Sequence, residues 1–301
     1  MKVQPYSRFV CPLDGAVLES TTNGASCGAG HHFDRAREGY LNLLPVQHKA
    51  SRQPGDDQAM VVARRCVLDS GLFAPLAAAV FDTVHGLVAE CHDERSLRIV
   101  DAGCGEGYYL ERLLAAARAC DAPGSLALAG FDISKLAVRA AARRSHDVAW
   151  AVASNRQPPF LPASCDLILS LFGFPHWPGF AAVLAPRGHV LLVEAGATHL
   201  LELREVIYPQ IVAQASSVLD AAVMRGWAPV VGRNLEYHVT LTSSSQIAAL
   251  LGMTPHAHRM TADGRAALAQ LSSARVTLSV SMWLLQKPST NDPGCECLTG
   301  S

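Results

Sequence analysis

Between residues 97 and 196 short apolar runs recur with amphipathic stretches between them. LRIVDAG (97–103) reads as a buried strand and YYLERLLAAARA (108–119) as the helix behind it. LALAGFDIS (126–134) predicts the next strand and Lys135–Arg144 the next helix. VAWAVAS, CDLILSLFGF and HVLLVEAG supply three more strands. Parallel strands need crossovers over the sheet, so this alternation predicts an α/β fold with a parallel sheet covered on both faces. Upstream, residues 60–89 keep helical spacing broken near Gly71 and Pro75, which predicts two helices. From about residue 199 the pattern is mostly helical until RVTLSVSMWLL (275–285), a late strand.

The flanks differ in composition. Residues 1–45 lack helical periodicity and are rich in Gly, Cys, His and turn formers; residues 46–57 (VQHKASRQPGDD) form a polar linker carrying Pro54 and Gly55. The division expected is a small module over 1–45, a linker with helices over 46–96, a catalytic-type domain over 97–286, and a disordered tail over 287–301. No internal repeat is present.

Half of the 301 residues are hydrophobic and 17% are charged, which excludes a disordered or fibrous chain. A formal charge of −1 argues against a uniformly basic nucleic-acid binder. A local patch stays open: residues 1–52 hold 6 Lys/Arg against 4 Asp/Glu. No run of 18 apolar residues predicts a membrane span, and residues 1–10 lack a secretory apolar centre. The nine cysteines (11, 27, 66, 91, 104, 120, 165, 295, 297) follow no disulfide framework. Cys66 and Cys165 lie in apolar runs and read as packed thiols, while Cys295 and Cys297 are too isolated for a metal site. These features predict a reduced, cytoplasmic protein.

Asp101-Ala-Gly103-Cys-Gly105-Glu106-Gly107 follows a strand and opens a helix, where glycines let the backbone pass close under a ligand. A dinucleotide loop would place its third glycine at Tyr108, and Asp132 lies 29 residues after Gly103 instead of about 20, so NAD fits poorly. An acid ending the first strand, a G-x-G-x-G turn and an acid ending the second strand resemble the class I, Rossmann-like S-adenosylmethionine methyltransferases. By that resemblance Asp132 accepts hydrogen bonds from the ribose hydroxyls and the glycine loop admits the methionine portion.

Cys11-Pro-Leu-Asp14 and Cys27-Gly-Ala-Gly-His31 stand 12 residues apart. A C-x2-C…C-x3-H arrangement would hold zinc tetrahedrally and organise a segment too small for its own core. Asp14 occupies the second cysteine's place. It can ligate through oxygen, or His32 or Asp34 can contribute.

CPLD, C-x3-HHFDRAREGYLNLLPVQHKASRQPGD, ARRCVLDSG, DAGCGEGYY, FDISKLAVRAAARR, VASN…PF, HLLELREVIY and MTPHAHR together resemble the RlmA family over roughly residues 9–285. These are S-adenosylmethionine-dependent 23S rRNA guanine-N1 methyltransferases that modify a guanine in a domain II hairpin. The resemblance implies an N-terminal zinc-ribbon-like RNA-recognition module, a methyltransferase domain and a homodimer. It puts Cys11, Asp14, Cys27 and His31 on zinc-ligand positions. Phe73, Asp101, Gly103, Gly105, Glu106, Gly107, Asp132, Ser154 and His199 form the implied cofactor-binding set. Phe73 stands where the family has a tyrosine, keeping the ring and losing the hydroxyl.

Two departures bear on the substrate. The family carries a short Ala-Pro segment after the fourth strand, where this chain has Leu171-Phe172-Gly173-Phe174-Pro175-His176-Trp177-Pro178; Glu194 replaces a neutral residue on the fifth strand. Phe172, Phe174, His176 and Trp177 are candidates for a platform that stacks an exposed base. His176 and Glu194 lie at the right edge for proton removal, but no residue is assigned as general base. Arg35, Arg37, Lys49, Arg52, Arg64 and Arg65 are candidates for a phosphate-contacting patch. Two other functions fit less of the sequence: a diverged methyltransferase acting on a small molecule or peptide, and a non-catalytic RNA-binding protein.

Overall fold

A computed structural model describes residues 1–45, 47, 54–90, 95–211 and 218–288. The first 45 residues hold five short strands: β1 (Lys2–Pro5), β2 (Glu19–Ser20), β3 (Gly24–Ser26), β4 (His32–Asp34) and β5 (Leu41–Asn42). Two helices follow, α1 (Gln58–Asp69) and α2 (Ala74–Glu90). The alternating region runs β6 (Leu97–Ala102), α3 (Tyr108–Ala119), β7 (Ser125–Asp132), α4 (Lys135–Arg144), β8 (Ala149–Val152), β9 (Cys165–Leu171), α5 (Trp177–Val183) and β10 (Leu184–Ala195). The rest is α6 (Leu201–Ile207), α7 (Val218–Val223), β11 (Ala228–Leu241), α8 (Ser244–Gly252), α9 (His256–Arg259), α10 (Ala262–Ala269) and β12 (Ala274–Gln286).

One nine-stranded sheet dominates, in the order β11-β12-β10-β9-β6-β7-β8-β5. Every neighbouring pair from β5 across to β10 is parallel. β1 also runs parallel to β7, along its first half (Lys2 opposite Ser125), while β8 takes the second half (Ala149 opposite Ala129). The two ends of the N-terminal segment therefore extend the large sheet, while β2, β3 and β4 make a separate three-stranded one. At the other edge β12 is antiparallel to β10 and to β11.

The helical pattern expected between residues 199 and 275 fails over β11, and the sheet is mixed where a parallel one was expected. APVVGRNLEYHVTL mixes Pro, Gly, Arg and Asn with apolar residues, and its first half is exposed. What makes it a strand is a ladder with β12 over nearly its whole length, a tertiary effect no local propensity carries.

Within the central strands alternate residues enter opposite cores. Ile99, Leu126, Leu128, Leu167 and Leu169 face the side covered by α2, α3 and α4. Val100, Ala127, Phe131, Ile168 and Leu192 face the side where α5 and the N-terminal module pack, including Phe9, Cys11, Leu18 and Cys27. The break between the two expected helices falls at Gly71, whose φ of 84° is the left-handed value glycine adopts freely. At the opposite edge from the site, buried Asp166 accepts from Arg98 Nε at 2.9 Å and Arg95 Nη1 at 2.9 Å, so its burial is compensated by two guanidinium groups.

Cys165 is buried as expected, but Cys66 is exposed, because it lies on the outer face of α1. Among the described residues no single helix is long and apolar enough to cross a membrane; α1 and α2 together have the composition but meet at 80°. Cys91, Cys295 and Cys297, and most of the expected tail (289–301), lie outside the described residues.

Candidate functional site

The carboxyl ends of β6 to β10 all open on one side of the sheet, because parallel strands share a direction. A cavity of about 880 Å³ lies there, walled by the glycine loop, the ends of those strands, α1 and the segment after α8.

The loop is held by its neighbours. Gly103 and Cys104 amides both donate to the Phe131 carbonyl, at 2.9 and 3.0 Å. Gly105 N donates to Asp132 Oδ2 at 3.0 Å and Ser134 N to Asp132 Oδ1 at 2.7 Å. Each Asp132 oxygen thus keeps further lone-pair capacity, and burial raises its carboxyl despite those two amides. Gly103 and Gly105 have φ of 87° and 54°. Gly107 also has positive φ, but it lies outside the cavity wall. A Cβ there would meet Ala141 Cβ and Trp150 Cη2 at 2.9 Å, so this glycine allows α3 to pack on α4 and Trp150. Glu106 lines the cavity, yet its Oε2 accepts from Arg144 Nε at 2.8 Å, which clamps the loop.

Asp101 is buried at the cavity floor, its Oδ1 without a hydrogen-bond partner among the described residues. Burial, with the Asp132 charge beside it, pushes its carboxyl up to about 8. Phe73 is buried with its ring edge-on to Phe172, centroids 6.2 Å apart. The His199 ring lies 6.1 Å from that of Phe172, and its Nδ1 meets the Ser279 carbonyl at 2.8 Å. Burial pushes this imidazole down to about 4, so it is neutral at pH 7. Ser154 Oγ accepts from Arg156 N at 3.2 Å at the cavity wall.

These features fit S-adenosylmethionine. An acid with spare acceptor capacity at a strand end suits vicinal hydroxyls, a buried acid with an unpartnered oxygen suits a cation that would favour its ionised form, and apolar rings suit a flat base.

The structure adds residues that the sequence reading placed elsewhere. Gly55 lies so close to Ser134 that a Cβ would meet Ser134 Cβ at 2.8 Å, and Ser134 Oγ donates to the Asp56 carbonyl at 2.8 Å. Arg64 pairs with Asp56 and donates to the Met253 carbonyl at 3.3 Å. The linker's end and Arg64 therefore form one wall of the cavity, which removes Arg64 from an outward phosphate patch. The Pro-Gly turn before the Asp57 helix cap was the available signal. Met253, Thr254 and His256 form another wall, with Tyr208 Oη and His256 Nδ1 2.8 Å apart. Arg65 bridges to Asp69 at 3.4 Å and Arg35 donates to the Gly39 carbonyl at 2.9 Å. Arg37 is exposed, and Lys49 and Arg52 lie outside the described residues.

Of the expected platform, Phe172, Phe174 and His176 reach the cavity. Trp177 does not: it is buried, with Trp227 5.2 Å and Phe180 6.3 Å from its ring, as a hydrophobic wall. His176 caps α5, its Nδ1 accepting from Gly179 N at 3.1 Å. Glu194 Oε2 accepts from Val218 N at 2.9 Å.

On the N-terminal module the ligand atoms of Cys11, Asp14, Cys27 and His31 converge within 4.8 Å of one another. His31 Nδ1 lies 3.5 Å from Cys11 Sγ, 3.3 Å from Cys27 Sγ and 3.0 Å from Asp14 Oδ2. Tetrahedral zinc with bonds of about 2.0–2.3 Å needs edges of about 3.3–3.8 Å; the two His31–thiol separations meet this and the Asp14 contacts are a few tenths of an ångström shorter, so the donor set fits the ion with a small outward shift of Asp14. Gly15 and Gly30, at φ of 75° and 85°, turn the two knuckles. The Ala16 amide, with both thiols, holds the Asp14 carboxyl well below the usual range, so it presents an anionic oxygen. His32 and Asp34 face each other instead, 3.4 Å apart.

Known proteins match both regions of the chain. Residues 9–52 match the zinc-ribbon family described as RlmA, N-terminal, and residues 99–191 match a methyltransferase domain. YxjB of Bacillus subtilis (strain 168), assigned as a 23S rRNA (guanine-N1)-methyltransferase, is 30% identical over 288 residues, 94% of this chain and 98% of its own. The 23S rRNA (guanine(748)-N1)-methyltransferase of Streptomyces fradiae is 34% identical over 198 residues, 65% of this chain and 66% of its own. A Micromonospora griseorubida protein with the same assignment as YxjB is 30% identical over 269 residues, 82% of this chain and 85% of its own. With a zinc-ribbon match, a methyltransferase match and a relative aligned nearly end to end, this chain belongs to the RlmA family of 23S rRNA (guanine-N1)-methyltransferases.

Proposed function

We propose that this protein methylates N1 of a guanine in a domain II hairpin of 23S rRNA, using S-adenosylmethionine. The observation that carries the reading is the near-full-length likeness to a relative assigned as a 23S rRNA (guanine-N1)-methyltransferase. When bound, the cofactor supplies an electrophilic methyl on a sulfonium sulfur. Asp132 takes the ribose hydroxyls and Asp101 complements the positive charge. Gly103, Gly105 and Glu106 form the loop over the methionine portion, with Gly107 supporting it from behind. Phe73, Ser154 and His199 complete the wall, the neutral His199 avoiding repulsion of a cationic ligand. Most of the acceleration comes from holding the base and the methyl in line.

Residues 1–45 form the RNA-recognition module, with Cys11, Asp14, Cys27 and His31 holding zinc. Residues 97–286 form the methyltransferase domain, joined to it through 46–96. The protein acts as a homodimer in the cytoplasm, where its substrate RNA resides. Near-neutral charge suits this work, since reading one hairpin takes a shaped module and a few placed cations.

Incubating the purified protein with labelled S-adenosylmethionine and unmodified 23S rRNA tests the reading. A methyl on N1 blocks base pairing, so primer extension should stop at one domain II guanine. Cofactor binding without RNA methylation would instead point to a small-molecule or peptide acceptor, and no cofactor binding to a non-catalytic protein.

A further inference from the structure

The cofactor-side acids occupy β6 and β7, but the cavity continues past β9 to β10. At about 4.8 Å per strand, Glu194 on β10 stands about 14 Å along the sheet edge from Asp132 on β7. Among the described residues of the cavity, most ionisable groups are already committed. Asp56 holds Arg64, Glu106 holds Arg144, Asp101 and Asp132 lie beneath the loop, and His199 and His256 are engaged through Nδ1. Glu194 is the carboxylate at the far end, with Oε2 fixed by the Val218 amide.

His176 lines the same cavity, on the segment that follows Phe172, with Arg156 as its charged neighbour. The Phe172 amide donates to the Val193 carbonyl at 2.8 Å, which sets Glu194 level with Phe172, and His176 follows four residues later. Because His176 Nδ1 accepts from Gly179 N, its Nε2 carries the proton in the neutral ring as well as in the charged one. The cavity thus offers a fixed donor at His176 and a fixed acceptor at Glu194. Phe174, 87% exposed at the same rim, is a ring with little packing role and suits stacking on a base.

We propose that His176 and Glu194 read the Watson–Crick edge of the target guanine, His176 Nε2–H donating to O6 and Glu194 accepting the N1 proton. This rests on the rRNA reading above. Guanine presents an acceptor at O6 and donors at N1 and N2, which matches that pair. Adenine presents a donor at N6 and an unprotonated N1, so it mismatches both. In the reaction the N1–H bond breaks and its proton passes to Glu194. The pair left on N1 and O6 is stabilised by His176 and forms the new N1–CH3 bond as the C–S bond breaks. That bond's electron pair returns to sulfur as a neutral thioether, and Glu194 releases the proton to water.

The test is single-turnover methylation of an unmodified domain II transcript, with cofactor affinity measured on each variant. Glu194→Ala should slow methyl transfer at least about 100-fold, within the range for lost general-base catalysis, and added formate should restore part of the rate. Glu194→Gln should be equally slow and not rescued. His176→Asn keeps a residue able to cap α5 but loses the Nε2 donor, and should slow transfer about tenfold. All three should bind S-adenosylmethionine within twofold of wild type. Glu194→Ala within threefold of the wild-type rate, or losing rate only in step with cofactor affinity, overturns the proposal. A wild type that methylates no 23S rRNA guanine overturns both this and the functional reading.

Discussion

The four metal-type ligands sit on turns beside strands of two or three residues, whereas the cavity rests on the ends of five largely buried parallel strands of four to twelve residues. Both bring distant residues within hydrogen-bonding range, by different means. At the cavity the sheet does the positioning: Asp101 and Asp132 end adjacent strands, and would do so with nothing bound. At the knuckles there is little core beyond what the large sheet lends, so two thiols, a carboxylate and an imidazole crowd together at 3.0–3.5 Å with only hydrogen bonds to offset their repulsion. A metal is what makes that cluster favourable. The difference teaches where each site is fragile: one to loss of its ion, the other to loss of single side chains.

The sharpest break in the comparison is Cys27→Ser. Metal content should fall from one zinc per chain to none, and RNA methylation should be lost, while S-adenosylmethionine affinity stays within about twofold because the cavity does not depend on the knuckles. Metal analysis and calorimetry on one preparation check both halves. Asp132→Ala should do the reverse. It should retain zinc and lose about 10²-fold or more in cofactor affinity, since hydrogen bonds to a charged acceptor contribute about 1.5–3 kcal/mol each. Asp14→Cys should tighten zinc on the order of tenfold by giving a soft ion a third thiolate, read by competition with a chelator. Retention of wild-type chelator sensitivity would mean that Asp14 is not a ligand.

The smallest effect separates the cavity floor from its ligand. Asp101 has its folded-state carboxyl raised to about 8, so between about pH 4 and 8 the unfolded chain ionises while the folded one keeps the proton. Stability of the cofactor-free protein should therefore decline as pH rises through that window. Asp101→Asn should flatten the decline, raising the melting temperature by a few degrees at pH 8 but little at pH 4. A slope unchanged in the variant would remove Asp101 as its source.

Much of this was legible in the chain. The helices 108–119 and Lys135–Arg144 stand at the expected bounds, because a buried face at helical spacing and a Ser134 cap leave little freedom. The convergence of Cys11, Cys27 and His31 was legible in two knuckle spacings, but those spacings left His32 and Asp34 open beside Asp14, which the fold brings to the cluster. β11 was not, since its strand character comes from its partner β12. Nor were the parts of Arg64, Gly107 and Trp177: each has a residue type suited to phosphate, cofactor or base, and each is turned to a structural use by what packs against it.

Sequence alone determined the alternation of strands and helices, the acid–glycine–acid cofactor signature and the knuckle residues, because periodicity, turn chemistry and ligand spacing are local properties. Tertiary structure decided which of those residues share a cavity, which carboxylate lacks a partner, and which histidine nitrogen is left to donate. Those depend on contacts between residues far apart in the chain, set by strand order and packing, and no local pattern encodes them.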